Sequence, residues 1–262
     1  MVGVGYRREL AAWIQTRPVG VDCLEITAEH FFPAGGEEHL ARLARDYPLY
    51  VHGLGLSLGT PGPLDESRVR QFARIARAAN PEWISEHVAF TRTAELDLGH
   101  LNPVPPTREA VKVLADHARE VAERCGKPML LENVTSHLKL EGELTETEFL
   151  NELCASAECG LLLDVTNLFI NSRNHGFDPF AWLHEIEPIH IRQLHIVGYS
   201  RESGRYADAH AEPIQEELIE LAAAVVGYAP VSSVVLERDE DIPAPAELEA
   251  EIVKLKRILG DR

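Results

Sequence analysis

The chain has 262 residues, 45% of them hydrophobic, and 25 basic against 42 acidic side chains give a formal charge of −17. The length is near the ~250 residues of one barrel of eight strand–helix pairs, enough for a large core. The acidity opposes sequence-independent binding to a phosphate backbone; no apolar run approaches the ~18 residues of a membrane span, and the start lacks a basic region followed by an apolar signal core. The expectation is one cytoplasmic catalytic domain over residues 1–262, with no nucleic-acid or membrane partner.

In chain order, eight short apolar runs alternate with segments of helical composition. The first run, 2–6, ends in Arg7 and Arg8 and leads into a predicted helix over 8–17. Run 23–26 surrounds Glu25 and precedes a helix over 37–47, where Leu40, Leu43 and Ala44 have helical spacing. Run 50–52 ends at His52, before a helix over 65–80 that opens at Asp65 and stops before Pro81. Run 83–87 carries Glu86 and His87, then a long loop over 91–106 and a helix over 107–126 with a hydroxyl start and a terminal glycine. Runs 129–132 and 161–164 end at Glu132 and Asp164, with helices over 146–157 and 178–187 behind them. Run 191–195 ends at His195, before a polar loop over 199–212 and a helix over 212–227. Run 233–237 ends at Glu237, and a helix over 244–259 closes the series.

Strand, crossover helix, strand forces parallel pairing, and continuously apolar runs such as GLLLD and SVVLE suit strands covered on both faces. A single (β/α)8 TIM barrel is expected. A doubly wound open sheet is the alternative, but it places its ligand at one switch point rather than using nearly every strand. Neither GVGY nor HGLGLSLG has the spacing of a dinucleotide-binding fingerprint, so both read as strand-end turns.

Seven of the eight runs end on or beside a carboxylate or imidazole, at the end of the strand that faces a barrel's active site. Glu132, Asp164, His195 and Glu237 would raise one another's proton affinity in a shared cavity unless a cation neutralised them. His52 and His87 lie on neighbouring strands and share a second ion if Glu132 bridges the two. Asp208 and His210, alternate residues in the loop 199–212, form a candidate third site, and Asn133 and Asn167 are further donors. Taken singly, each carboxylate is better explained by hydrogen bonds to a loop, and each histidine could merely orient one. His117, His184 and His190 have helix or connector contexts without a metal role. Nitrogen and oxygen donors without thiolate suit iron, manganese or zinc. The four cysteines, Cys23, Cys125, Cys154 and Cys159, lack CxxC spacing and read as reduced, packed thiols.

The stretches VHGLGLSLGTPGPLD, ISEHVAFT, LLENVTSHL, GLLLDVTNLFINSRNHGFDP, IRQLHIVGY, DAHAEPI and VLERDEDIP closely resemble the multinuclear non-heme iron-dependent oxidative enzymes, the peptide-modifying family that includes the methanobactin-biosynthesis oxidases. They cover most of the chain in the family's order. The resemblance implies a xylose-isomerase-like barrel holding two or three irons in mixed Fe(II)/Fe(III) states, with O2 as cosubstrate. His52, His87, Glu132, Asp164, His195, Asp208, His210 and Glu237 fall on the family's ligand positions, Asn167 is a further ligand, and Glu132, Asp164 and His195 are the expected catalytic centre. Thr166 stands where an asparagine is common, and DAHAEP lacks a threonine and a second aspartate, which puts the third iron in doubt first. The implied reaction is oxidation of a residue, most often cysteine, in a ribosomally made precursor peptide. A separate leader-peptide-recognition partner protein is implied as well. A divalent-metal sugar isomerase or epimerase, and a metal-binding partner without catalysis, are the competing readings.

Overall fold

Runs that are apolar at every position fold into strands buried on both faces, and the polar segments between them supply the caps and turns. The computed structural model describes residues 1–93 and 95–260. In chain order its elements are β1 (Val2–Gly5), α1 (Ala11–Gln15), β2 (Cys23–Thr27), α2 (Gly36–Asp46), β3 (Leu49–His52), α3 (Glu66–Ala79) and β4 (Ile84–His87). An antiparallel pair follows, β5 (Ala89–Arg92) with β6 (Asp97–Pro103), then α4 (Arg108–Cys125), β7 (Met129–Glu132), α5 (Glu146–Ala157), β8 (Gly160–Asp164), α6 (Val165–His175) and α7 (Pro179–Glu185). The chain ends with β9 (Ile191–Ile196), a second antiparallel pair of β10 (Gly198–Glu202) and β11 (Arg205–Glu212), α8 (Glu216–Tyr228), β12 (Ser233–Leu236) and α9 (Pro245–Leu259). Strands β1, β2, β3, β4, β7, β8, β9 and β12 pair in parallel in that order, and β12 returns to β1 to close the barrel. The closed ring removes the open-sheet alternative.

Side-chain alternation along the strands builds the interior in two levels. Cys23, Tyr50, Trp83, Leu130 and Leu162 form an apolar cluster separate from the outer core, with the Tyr50 and Trp83 rings stacked at 4.7 Å. Two residues further along the same strands stand Glu25, His52, Ser85, Glu132 and Asp164, which must therefore project to the same side. The barrel thus has an apolar floor and a polar mouth.

Local chemistry sets the helix ends. Asp65 accepts from the backbone N–H of Ser67 and Arg68 at the start of α3, and Thr145 with Glu148 forms a capping box on α5. The structure differs from the sequence reading at five elements. The helix expected over 8–17 is a short 3-10 turn followed by α1, and the one expected over 212–227 begins at Glu216 because Glu212 belongs to β11. The connectors 91–106 and 199–212 are antiparallel pairs rather than plain loops. Helix α6 was not foreseen: Val165 through Ser172 are all buried, so no polar stripe marks a helical period. The four cysteines are free thiols, and burial pushes Cys23 and Cys125 up to about 12. Among the described residues, no helix is long and apolar enough to cross a membrane.

Candidate metal centre

Strand ends β3, β4 and β7 bring together His52, His87 and Glu132, all buried. Glu132 Oε2 lies 3.4 Å from His52 Nε2 and 3.5 Å from His87 Nε2. Donors that share one ion at bonds of about 2.1 Å stand roughly 3 to 3.5 Å apart, so the three atoms have the spacing of a common ligand set. The outer ring nitrogens are already engaged. His52 Nδ1 meets the Ser85 hydroxyl at 2.9 Å, and His87 Nδ1 meets Glu86 Oε1 at 3.0 Å. Such partners fix ring orientation and leave Nε2 for the centre.

A second buried group consists of Glu132, Asp164, His195 and Glu237, from β7, β8, β9 and the residue after β12. His195 Nδ1 lies 3.2 Å from Glu132 Oε1 and 3.0 Å from Glu237 Oε2. Asp164 doubles as the cap of α6: its Oδ1 accepts from the Asn167 backbone N–H at 2.6 Å, while its own N–H donates to Asn133 Oδ1 at 2.8 Å. Glu132 belongs to both groups.

Electrostatics expose the strain of packing these groups without a cation. Burial, with Asp208, Glu132 and Glu237 nearby, holds the Asp164 carboxyl well above the usual range. Burial, with the neighbouring His87 and His195, drives His52 well below the ordinary imidazole value. Burial opposes charge on His87 too, but Glu132 and Glu86 outweigh it and raise the imidazole to about 9. His195 is likewise raised against burial, by Glu237, Glu25 and Glu132, and it holds Glu237 ionised. Glu132 Oε2 and Asn167 Oδ1 are buried without a hydrogen-bond partner. Buried unpartnered oxygens among nitrogen and oxygen donors are what a bound cation would satisfy.

Asp208 and His210 lie on β11 as a pair of their own, with His210 Nε2 2.9 Å from Asp208 Oδ2 and His210 Nδ1 3.3 Å from Asp239 Oδ2. They stand outside the two donor groups, yet Asp208 raises Asp164 and Asp208 Oδ1 is buried and unpartnered. Two participants escaped the sequence reading as site residues. Glu25 Oε1 sits 2.6 Å from His195 Nε2, and its Oε2 accepts from Gln193 Nε2 at 2.5 Å. Asp239 joins His210 to Arg7, the residue that ended the first run. Glu25 could have been found, since it shares the strand phase of Cys23 with the floor below. Asp239 lies beyond a strand end, where the phase gives no direction. His117 has no place in the centre; its ring nitrogens meet the carbonyls of Leu58 and Gly62 at 2.8 Å each.

Fold and site together define a closed parallel barrel with clustered metal-type donors at its carboxyl-end mouth, the architecture of an enzyme. The chain belongs to the RiPP precursor modification enzyme MbnB/TglH/ChrH family, whose family-wide sequence model matches residues 1–260. Relatives include a UPF0276 protein of Rhizorhabdus wittichii, 34% identical over 88% of this chain and 84% of its own length. Another from Chromobacterium violaceum is 35% identical over 90% and 87%. A third, from Streptomyces avermitilis, is 35% identical over 98% of this chain, which spans only 54% of that protein. Among solved structures, D-psicose 3-epimerase aligns with a TM-score of 0.63 at 12% identity, covering 99% of each chain. Endonuclease IV from Thermus thermophilus aligns at 0.60 and 14%, covering 98% of each. These likenesses establish the xylose-isomerase-like barrel.

Proposed function

We propose that this chain is a multinuclear non-heme iron oxidase, a single catalytic domain over residues 1–262 that acts in the cytoplasm and uses O2 to modify a residue, most readily cysteine, of a ribosomally synthesised precursor peptide. The observation that carries the reading is the pair of buried nitrogen–oxygen donor groups joined at Glu132. His52, His87 and Glu132 would hold one iron, and Glu132, Asp164, His195 and Glu237 a second. Asp208 and His210 would serve a third, and Asn167, whose side-chain oxygen is buried without a hydrogen-bond partner, is a further ligand candidate for the centre. Iron, when bound, supplies the redox chemistry with O2 that no side chain of this set can perform.

The chain's own residues have separable tasks. Glu132, Asp164 and His195 fix the centre, while Glu25 orients the His195 ring from its Nε2 side. The floor of Tyr50, Trp83, Leu130 and Leu162 excludes water from below. Family membership supports a peptide substrate. A separate protein that recognises the peptide's leader would complete the system.

Metal analysis and Mössbauer spectra of anaerobically purified protein, with O2 uptake on a cysteine-containing precursor peptide, test the proposal. Two or three irons per chain and peptide-dependent O2 uptake are expected. Stoichiometric zinc without iron-restored uptake, or oxygen-independent conversion of a sugar, would overturn it. Product loss with retained peptide binding in Asp164→Ala would separate catalysis from mere peptide carriage.

A further inference from the structure

A cavity of about 550 Å³ opens on the same face as the donor groups, between the segments that follow β4, β7 and β8. Its inner wall includes Val88 and Asn133, the residues immediately after His87 and Glu132. Leu144, Phe149, Leu150 and Trp182 supply apolar wall. Glu146, the first residue of α5, also lines the cavity; the residue is exposed, although protein crowds the end of its carboxyl.

Among the described residues, the one hydrogen bond to the Glu146 carboxylate comes from Trp182 Nε1 at 3.1 Å. The other charged or titratable groups around the cavity are Lys139, Glu141, His175 and Glu185. Two of these are engaged: Glu185 accepts from the Thr147 hydroxyl at 2.7 Å, and His175 Nε2 bonds the Ser136 carbonyl at 2.7 Å. Lys139 and Glu141 are exposed. Three carboxylates face one ammonium in a chain of formal charge −17.

We propose that this cavity is a specificity pocket for a basic side chain of the precursor peptide, a lysine or arginine near the residue to be modified. The aliphatic stem would lie on Leu144, Phe149, Leu150 and Trp182, and the cationic head would reach Glu146. An apolar wall beside a carboxylate that carries a single internal hydrogen bond matches that amphipathic shape better than it matches a wholly apolar or an acidic residue. The inference deepens the peptide reading above and rests on it.

The test uses the full chain, metal-free and iron-loaded, in anaerobic calorimetric titrations with end-blocked pentapeptides that contain cysteine and either lysine or norleucine. The lysine peptide should bind about tenfold more tightly, the scale of one charge-assisted contact. Glu146→Gln, which keeps an acceptor for Trp182, should abolish that preference, and Leu140→Trp, which fills the cavity, should weaken both peptides. If Glu146→Gln fails to fold, the wild-type preference must still shrink as salt is raised. Equal binding of the two peptides, a preference intact in Glu146→Gln, or free n-butylamine binding as tightly as the lysine peptide would overturn the proposal. Because no turnover is read, selective binding without O2 chemistry would sink the oxidase and leave the pocket standing, and the converse result would do the reverse.

Discussion

Glu132 is the residue on which both donor groups depend, since one carboxylate oxygen faces the two imidazoles of β3 and β4 and the other faces His195. Glu132→Ala should therefore lower metal content at two positions, whereas His52→Ala should lower it at one; metal analysis of matched preparations reads the difference. Glu25 acts one step further out, on the far nitrogen of His195. Glu25→Gln should weaken metal affinity about 10- to 100-fold, the usual effect of removing a ligand's orienting partner, with the fold intact by circular dichroism. Protonation offers a third check. In the metal-free protein the His87 imidazolium, at about 9 against an ordinary 6.5, contributes stability that is fully present below pH 6.5 and lost as pH rises through 9. The melting temperature of metal-free protein should fall across that interval, and His87→Asn should flatten the fall.

At the scale of elements, the helix caps and strand phases were readable because they are local. Asp65, Thr107 and Thr145 each sit where a short polar side chain can accept from orphan N–H groups. Thr145→Ala should cost about 1 kcal/mol in denaturant unfolding. The β10–β11 pair has a local signal too: Glu202 pairs with Arg205 across Ser203 and Gly204, both at positive φ, the signature of a tight hairpin turn. At the other end of that pair, a Cβ on Gly198 would lie 2.1 Å from the Pro213 carbonyl oxygen. Gly198→Ala should destabilise by about 1–3 kcal/mol, because backbone must move to admit the methyl group. The hairpin carrying Asp208 and His210 would shift with it.

For the whole molecule, closure of eight parallel strands forces acids and imidazoles from all around the chain into one buried mouth. A cation that binds the folded state alone stabilises it by mass action, about 2.7 kcal/mol at a hundredfold excess over Kd. Chelation should accordingly lower the melting temperature by about 5 °C or more, and iron should restore it; scanning calorimetry reads both. Local sequence determined the strand–helix alternation and most of the residues available for the centre, because side-chain phase and capping act over a few positions; closure of the ring, which removed the open sheet, came from the pairing of β12 with β1. Tertiary structure alone decided that Glu132 joins the two donor groups, that Glu25 backs His195, that Asp239 links Arg7 to His210, and that a solid-looking run such as VTNLFINSRNH is a helix. Those outcomes depend on which distant strands close against each other, and no window of sequence carries that distance.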